Sequence, residues 1–291
     1  MKKDKIIISI CSRSFNNNLL ILLNCIYKNW QFSNLNIKVL IIFNGSKRIQ
    51  NLQKKLIQKS LKKIKYIIGF ENRVGISYVR NRVLKKLKSL DYDYGCFLDD
   101  DCMIKKNFIV KHLNFIKKNN CQIVGGPQLY KSKRVFFRVF ERNFLNDRYV
   151  SWVSTNNVFY LKSALDKNLH FSKNVTKYGY GEDQLFFSKL SNFKKTIRWN
   201  NNPVFEIAQK KRENIKWFME RNYKYGLTGI LIDRELYGFI SAIFLNIFKA
   251  LLNLSRSFLY LLLIPFKPIV NFYFSFAYFL RFIGRVVNIF G

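Results

Sequence analysis

Carboxylates are scarce in this chain. Against 51 Lys+Arg stand 17 Asp+Glu, a formal charge of +34, and no acid lies beyond residue 235. Histidine is scarcer still. His112 and His170 stand alone, which argues against a His-based metal centre or a Ser-His-Asp triad. The five cysteines (Cys11, Cys25, Cys96, Cys102, Cys121) form no CxxC pair and no zinc spacing. An odd, scattered set reads as reduced cytosolic thiols. The first apolar run, residues 6–11, includes Ser9 and is shorter than the ~7–15 residues of a secretory core. A first β-strand without a leader is expected there. No uncharged run in the last 56 residues exceeds 13, reached at 236–248 and 268–280. A plain spanning helix wants about 20.

What is present is ample apolar material, 49% of residues, enough for a large core. The excess of cations favours anionic partners: nucleic acid, anionic lipid or phosphate-bearing substrates. Along the first 130 residues, strand-like and helix-like segments alternate. KIIISIC, NIKVLIIFNGS, KYIIGF and YGCFLDD read as strands. NNNLLILLNCIYKNW, RIQNLQKKLIQKSLKKI (48–64) and GISYVRNRVLKKLKSL read as helices. Repeated β-α units predict a parallel sheet with helices on both faces, binding ligands beyond the carboxyl ends of its strands. Further on, CQIVGGPQLY and SWVSTNNVFYL look like strands. KKRENIKWFMERNYKYG looks like a helix closed by Gly226.

Residues 236–291 differ in kind, with five cations (Lys249, Arg256, Lys267, Arg281, Arg285) and no acid. Asn246, Lys249, Asn253 and Arg256 recur at helical spacing. So do Asn271, Ser275, Tyr278, Arg281, Arg285 and Asn288. Each set makes a stripe on one helix face, and Pro265 and Pro268 separate the two helices. The expectation is a pair of helices in the membrane interface with the basic stripe toward anionic headgroups. A pair docked on the protein's own core and a tilted spanning pair are the alternatives.

In so acid-poor a chain, Asp99, Asp100 and Asp101 are adjacent, directly after an apolar strand. Three neighbouring carboxylates repel one another unless a cation neutralises them. Mg²⁺ or Mn²⁺ is held by one or two carboxylates plus phosphate oxygens and water. Strand alternation places Asp99 and Asp101 on one side, suited to holding an ion against a diphosphate. An exposed acidic turn is the plainer alternative. A second acid pair, Glu182 and Asp183, follows Gly179 and Gly181 at a helix start, where the helix dipole also favours simple capping.

In this order the motifs ISICSRSF, VLIIFNGS, ENRVGISYVRNRVL, FLDDDC, STNNVFYL and GYGEDQLFF resemble the family-2 inverting glycosyltransferases of GT-A fold, over about residues 6–226. The resemblance implies an α/β fold, a GT-A-like, Rossmann-type mixed sheet with helices on both faces in 1–235; the membrane-associating helices of 236–291 lie beyond it and rest on the stripes described above. It implies a hexosyltransferase-type enzyme taking a nucleotide-diphosphate sugar as donor and a saccharide or lipid-linked acceptor. By it, Asp101 and Asp99 hold the metal, and Asp183 is the general base with Glu182 in support. Ser12, Arg13, Asn44, Arg80, Asn81, Asp99 and Asp100 lie near the nucleotide diphosphate. Glu206, Arg212 and Arg221 approach the site. Phe43 and Asn44 stand where many relatives carry a base-recognising acid, and no His follows the Glu-Asp pair, a place Glu206 could take. The implied setting is cell-envelope polysaccharide or glycolipid synthesis at the cytoplasmic face of the membrane, peripheral or monotopic. Two other classes stay open. A nucleotidyltransferase on a related sheet would carry a Gly-rich phosphate loop, and ICSRSFNNN has no glycine. A nucleic-acid binder would carry one of the known motifs, whereas the cations here are dispersed; no nucleic acid is expected.

Overall fold

A computed structural model describes residues 3–31, 33, 35–45, 65–165, 168–193 and 195–290. The helix expected over 48–64 lies outside the described residues. The chain divides into two compact units. The first comprises Met1–Leu129, Arg142–Phe171 and Phe186–Ile207, the second Tyr130–Glu141, Ser172–Leu185 and Ala208–Gly291.

The first unit is organised by β1 (Lys5–Ser12), an Ile-rich strand buried on both faces. Such a strand can sit only inside a sheet covered on both sides. It pairs in parallel with β2 (Asn36–Asn44) and β4 (Tyr94–Asp99), and β2 pairs in parallel with β3 (Lys65–Glu71). Beyond β4 the sheet turns mixed. β8 (Val158–Leu161) runs antiparallel to β4 and to β6 (Ile123–Gly125), and β9 (Ile197–Trp199) runs parallel to β6. The order is β3-β2-β1-β4-β8-β6-β9. Alternate residues of β1 feed two cores. Ile6, Ile8 and Ile10 meet Leu19, Leu22 and Leu23 of α1 (Asn17–Gln31) and Phe108 and Leu113 of α3 (Phe108–Asn119). On the other face, Ile7 joins Val79 and Val83 of α2 (Ile76–Leu87) and Phe186 and Phe187 of α4 (Glu182–Asn192).

A second small sheet, unforeseen in the sequence, pairs β5 (Cys102–Ile104) antiparallel with β10 (Val204–Ile207); β7 (Gln128–Lys131) flanks β10. SWVSTNNVFYL is a strand only from Val158. Before it, Asn157 is spent on bonds to Pro127 O (2.9 Å) and Asn202 O (3.0 Å).

The same Asn157 accepts from His112 Nε2 (3.1 Å), and the opposite ring nitrogen lies 3.4 Å from Asn200 Nδ2. One nitrogen donates and the other accepts, so the ring is neutral. Burial pushes its pKa down to about 3, the Asn157 bond partly opposing. Below the ordinary pKa near 6.5, the unfolded chain binds a proton that the folded chain refuses. Stability therefore falls as pH drops from about 6.5 toward 3. Urea melts at pH 7 and pH 5 should differ by about 2 kcal/mol from this group, at about 1.4 kcal/mol per pH unit. His112→Gln should remove that difference; a difference that persists undiminished would refute the assignment.

The second unit is built on α5 (Ile215–Tyr237), α6 (Phe239–Leu262) and α7 (Pro268–Phe290). Asn214 caps α5 by accepting from Trp217 N (2.8 Å). Gly226 does not end this helix, contrary to expectation; α5 continues to Tyr237. A Cβ on Gly226 would lie 2.4 Å from Arg281 O and 2.8 Å from Gly284 Cα. The glycine is there for the close approach of α7. The polar stripes of α6 and α7 do form, but their orientation is corrected. Asn246, Asn271 and Ser275 are buried, and Lys249 and Arg285 reach Asp233 of α5. The stripes are used mainly within the unit rather than turned to headgroups. α6 is long and apolar enough to cross a membrane by length and composition.

Candidate active site

In the order β3-β2-β1-β4, four parallel strands end side by side, at Glu71, Asn44, Ser12 and Asp99. This row lies beyond the carboxyl ends of the strands, the edge where doubly wound sheets bind ligands. Ser12 Oγ lies 2.5 Å from Asp100 Oδ2 and 2.8 Å from Ser14 O. Arg80, buried on α2, holds Nη2 3.6 Å from Asp99 Oδ1 and lies over the Phe171 ring. Burial pushes the Cys11 thiol up to about 12, with Arg80 opposing and Asp99 and Asp100 adding to the rise. Asp99 stands opposite Cys11 in the β1–β4 register, so Arg80, Asp99 and Asp100 lie at this one end of the sheet.

Two of the expected residues are engaged locally. Asn44 donates to Glu71 O (2.9 Å) and Arg73 O (2.7 Å) and accepts from Gly75 N (3.2 Å). It clamps the loop after β3. Asn81 exchanges bonds with Phe171, donating to its O (2.9 Å) and accepting from its N (2.8 Å). Arg13 is exposed. Glu71 was not foreseen as a site residue. It is buried, and Arg73 hydrogen bonds hold its carboxyl below the usual range, against the upward pull of burial. Its place at a strand end, as the first residue of the ENRVG stretch, is the available signal.

The triple Asp does not continue the strand. β4 ends at Asp99, and Asp100 and Asp101 form a turn into β5, so the expected strand alternation does not relate Asp99 to Asp101. Asp101 is buried, and its main-chain oxygen accepts from Ile207 N (2.9 Å). That bond brings β10 alongside, with Glu206 in register opposite Cys102. Burial pushes the Cys102 thiol well up, and Asp99, Asp101 and Glu206 each push it further. Three carboxylates thus act on one buried point. Glu206 is buried and its Oε2 accepts from Gln128 Nε2. Among the described residues, no three His, Cys, Asp or Glu side chains gather closely enough to hold an ion alone. The donors present are hard oxygens. They suit an ion held by one or two carboxylates and completed by phosphate oxygens and water.

In the second unit, Glu182 and Asp183 open α4 behind Gly179 and Gly181. Gly181 has φ +96°, and a Cβ there would lie 2.5 Å from Thr228 Cγ2. Both facts require glycine. Glu182 is buried; Asp183 is half-buried and its Oδ1 accepts from Gln184 N (2.7 Å). Tyr180, just before, packs edge-on against Tyr225. The Arg221 guanidinium lies 5.4 Å from the Tyr180 ring, and its Nε donates to the Tyr225 hydroxyl (2.8 Å). Burial raises the Tyr180 phenol, while Arg221 and Arg212 pull it down. Arg221 therefore stands beside Tyr180, three residues ahead of Asp183. A separate groove of about 440 Å³, lined by Lys133, Arg134, Ile215 and Tyr273 among others, contains none of the expected site residues.

No curated protein matches this chain. Solved structures share its fold. The mannosyltransferase PcManGT from Pyrobaculum calidifontis, in complex with GDP-Man and Mn²⁺, superposes with TM-score 0.61 at 12% identity, covering 99% of this chain and 88% of that one. S. aureus TarS 1-349 in complex with UDP-GlcNAc gives 0.54 at 15% identity, covering 80% and 71%. This chain spans 65% of another TarS 1-349 structure and 39% of the longer TarS. At these identities the likeness speaks to fold. The family model described as Glycosyl transferase family 2 matches residues 6–215, a stretch holding the row of strand ends, the triple Asp and the Glu-Asp pair, and the chain belongs to that family.

Proposed function

We propose that this chain is a metal-dependent, inverting hexosyltransferase that moves a sugar from a nucleotide-diphosphate sugar to an acceptor hydroxyl. The observation that carries the reading is the end of β4: Asp99 beside the buried Arg80, and the buried Asp101 in the following turn. Solved proteins of the same fold carry UDP-GlcNAc, or GDP-Man with Mn²⁺, which supports a nucleotide-sugar donor and Mg²⁺ or Mn²⁺ as the ion.

In this reading Asp101 and Asp99 hold the ion, which when bound supplies positive charge to the departing diphosphate. Arg80, Arg13, Ser12 and Asn44 orient the nucleotide end, with Asn81 fixing the backbone beside it and Asp100 fixing Ser12. Arg212 and Arg221 add fixed positive charge, worth most where water is excluded. Asp183 takes the proton from the acceptor hydroxyl as that oxygen attacks the anomeric carbon, and Glu182 supports it. One displacement, with the diphosphate leaving from the opposite face, inverts the centre.

Residues 1–235 form the catalytic part in this proposal, and 236–291 associate with the cytoplasmic face of the membrane. The acceptor is a saccharide or lipid-linked saccharide of envelope polysaccharide or glycolipid synthesis. The net charge of +34 draws both the anionic donor and an anionic bilayer. Thermal-shift measurement against a panel of nucleotide sugars, with and without Mn²⁺, tests the donor. One sugar nucleotide should raise Tm in an ion-dependent way. If none shifts Tm and none is hydrolysed in Mn²⁺, the reading fails.

A further inference from the structure

The polar stripe of an interfacial helix normally meets headgroups and water. In α6 and α7 the stripe is largely consumed inside the unit. Asn246, fully buried, donates to Arg285 O (2.9 Å) and accepts from Arg285 Nη1 (2.7 Å). Asp233 of α5, also buried, receives Lys249 (2.6 Å) and Arg285 (3.5 Å). Arg281 Nε donates to Asn222 of α5 (2.9 Å), Asn288 Nδ2 to Leu227 O (2.6 Å), and Ser257 Oγ to Ser275 O (2.9 Å). The outward face is left apolar. Ile240, Phe244, Phe248, Leu251, Leu262 and Phe266 are each more than half exposed. Polar groups inside and large apolar groups outside is the arrangement of helices solvated by lipid.

The partner is fixed by charge and by α5. Residues 236–291 carry five cations and no acid; of these, Lys267 in the turn and Arg256 at the flank, which lies over the Tyr278 ring, are exposed. They suit an anionic lipid surface. α5 lies along α7, from Phe218 beside Tyr273 to Leu227 beside Asn288. It carries the exposed Glu220–Lys224 pair. If the hairpin crossed the bilayer, these charges would be carried into hydrocarbon, which is costly. We infer that α6 and α7 lie in the plane of the membrane as a monotopic anchor, apolar face down into one leaflet, polar stripe turned up toward α5 on the aqueous side. This deepens the membrane-association reading above and rests on it; it does not depend on the transfer chemistry.

The test uses the full chain on phosphatidylcholine vesicles containing phosphatidylglycerol. Phe244→Trp, Leu251→Trp and Phe258→Trp are made singly, and their fluorescence is compared with the parent's four tryptophans. Bromine is placed near the headgroup or near the chain end. Positions 244 and 258 are about 21 Å apart along the helix axis. An in-plane helix gives equal quenching at all three sites, stronger from the shallow bromine. A spanning helix gives deep quenching at Leu251 alone, which overturns the inference while leaving membrane association standing. No quenching and no flotation with vesicles overturns both, and a dimer formed in their place identifies a second copy as the occupant. As a second measurement, Phe244→Ser with Phe248→Ser should lower vesicle partition by at least about tenfold, from the apolar area withdrawn. Partition at the parent's level also overturns the inference.

Discussion

Asp183→Asn should lose about 10²–10⁴ in turnover while its donor binding stays nearly intact. The size is that of general-base assistance. The split between turnover and binding follows from where the residue sits. Asp183 opens α4 behind Gly181, whose backbone neither tolerates nor needs a side chain. An Asn there keeps the volume and can still accept from Gln184 N, as the carboxylate does at 2.7 Å. The helix start is preserved and only the proton acceptor is lost. Glu182→Gln is the informative neighbour. Glu182 is buried, so its loss should cost stability as well as rate. Normal turnover by Asp183→Asn in a coupled nucleotide-release assay would remove Asp183 from the mechanism.

The strands β1, β2 and β4 are legible because a strand buried on both faces writes itself as a continuous apolar run, and the row of candidate site residues at their ends comes with them. Glu71 belongs to the same row yet was passed over. The strand KYIIGF stops at Phe70 in the sequence, one residue short of the end of β3, which leaves the acid outside it. Asp101 shows a different limit. The alternation of a strand was extended past Asp99, where the chain turns toward β5. β5 and β10 are held by pairing between residues about a hundred positions apart, Cys102 with Glu206, and segments this short carry no period. Gly226 and the C-terminal stripes fail for one reason. Local spacing tells which residues share a helix face; it cannot tell what that face meets. Glycine at a helix end and glycine under a crossing helix look alike until Arg281 and Gly284 are seen above it.

Asp101→Ala is expected to abolish the response of donor binding to Mn²⁺ and to lower kcat/KM by on the order of 10²–10³, the scale of losing one preorganised electrostatic contact to developing charge. The backbone has little reason to move, because the bond that Asp101 contributes to β10 comes from its main-chain oxygen to Ile207 N. Without the ion the substitution should leave Tm unchanged or raise it. Asp99, Asp101 and Glu206 all act on the same buried thiol, and removing one of three like charges relieves their repulsion. The two readouts therefore move apart: a protein as stable as the parent or more so when ion-free, yet one whose Tm no longer rises with Mn²⁺ and nucleotide sugar. Glu206→Gln should behave more mildly, since Glu206 already accepts from Gln128 and a neutral amide relieves the same repulsion without removing Asp101. If titration calorimetry finds the parent's full Mn²⁺ dependence in Asp101→Ala, the ion is not held at the end of β4.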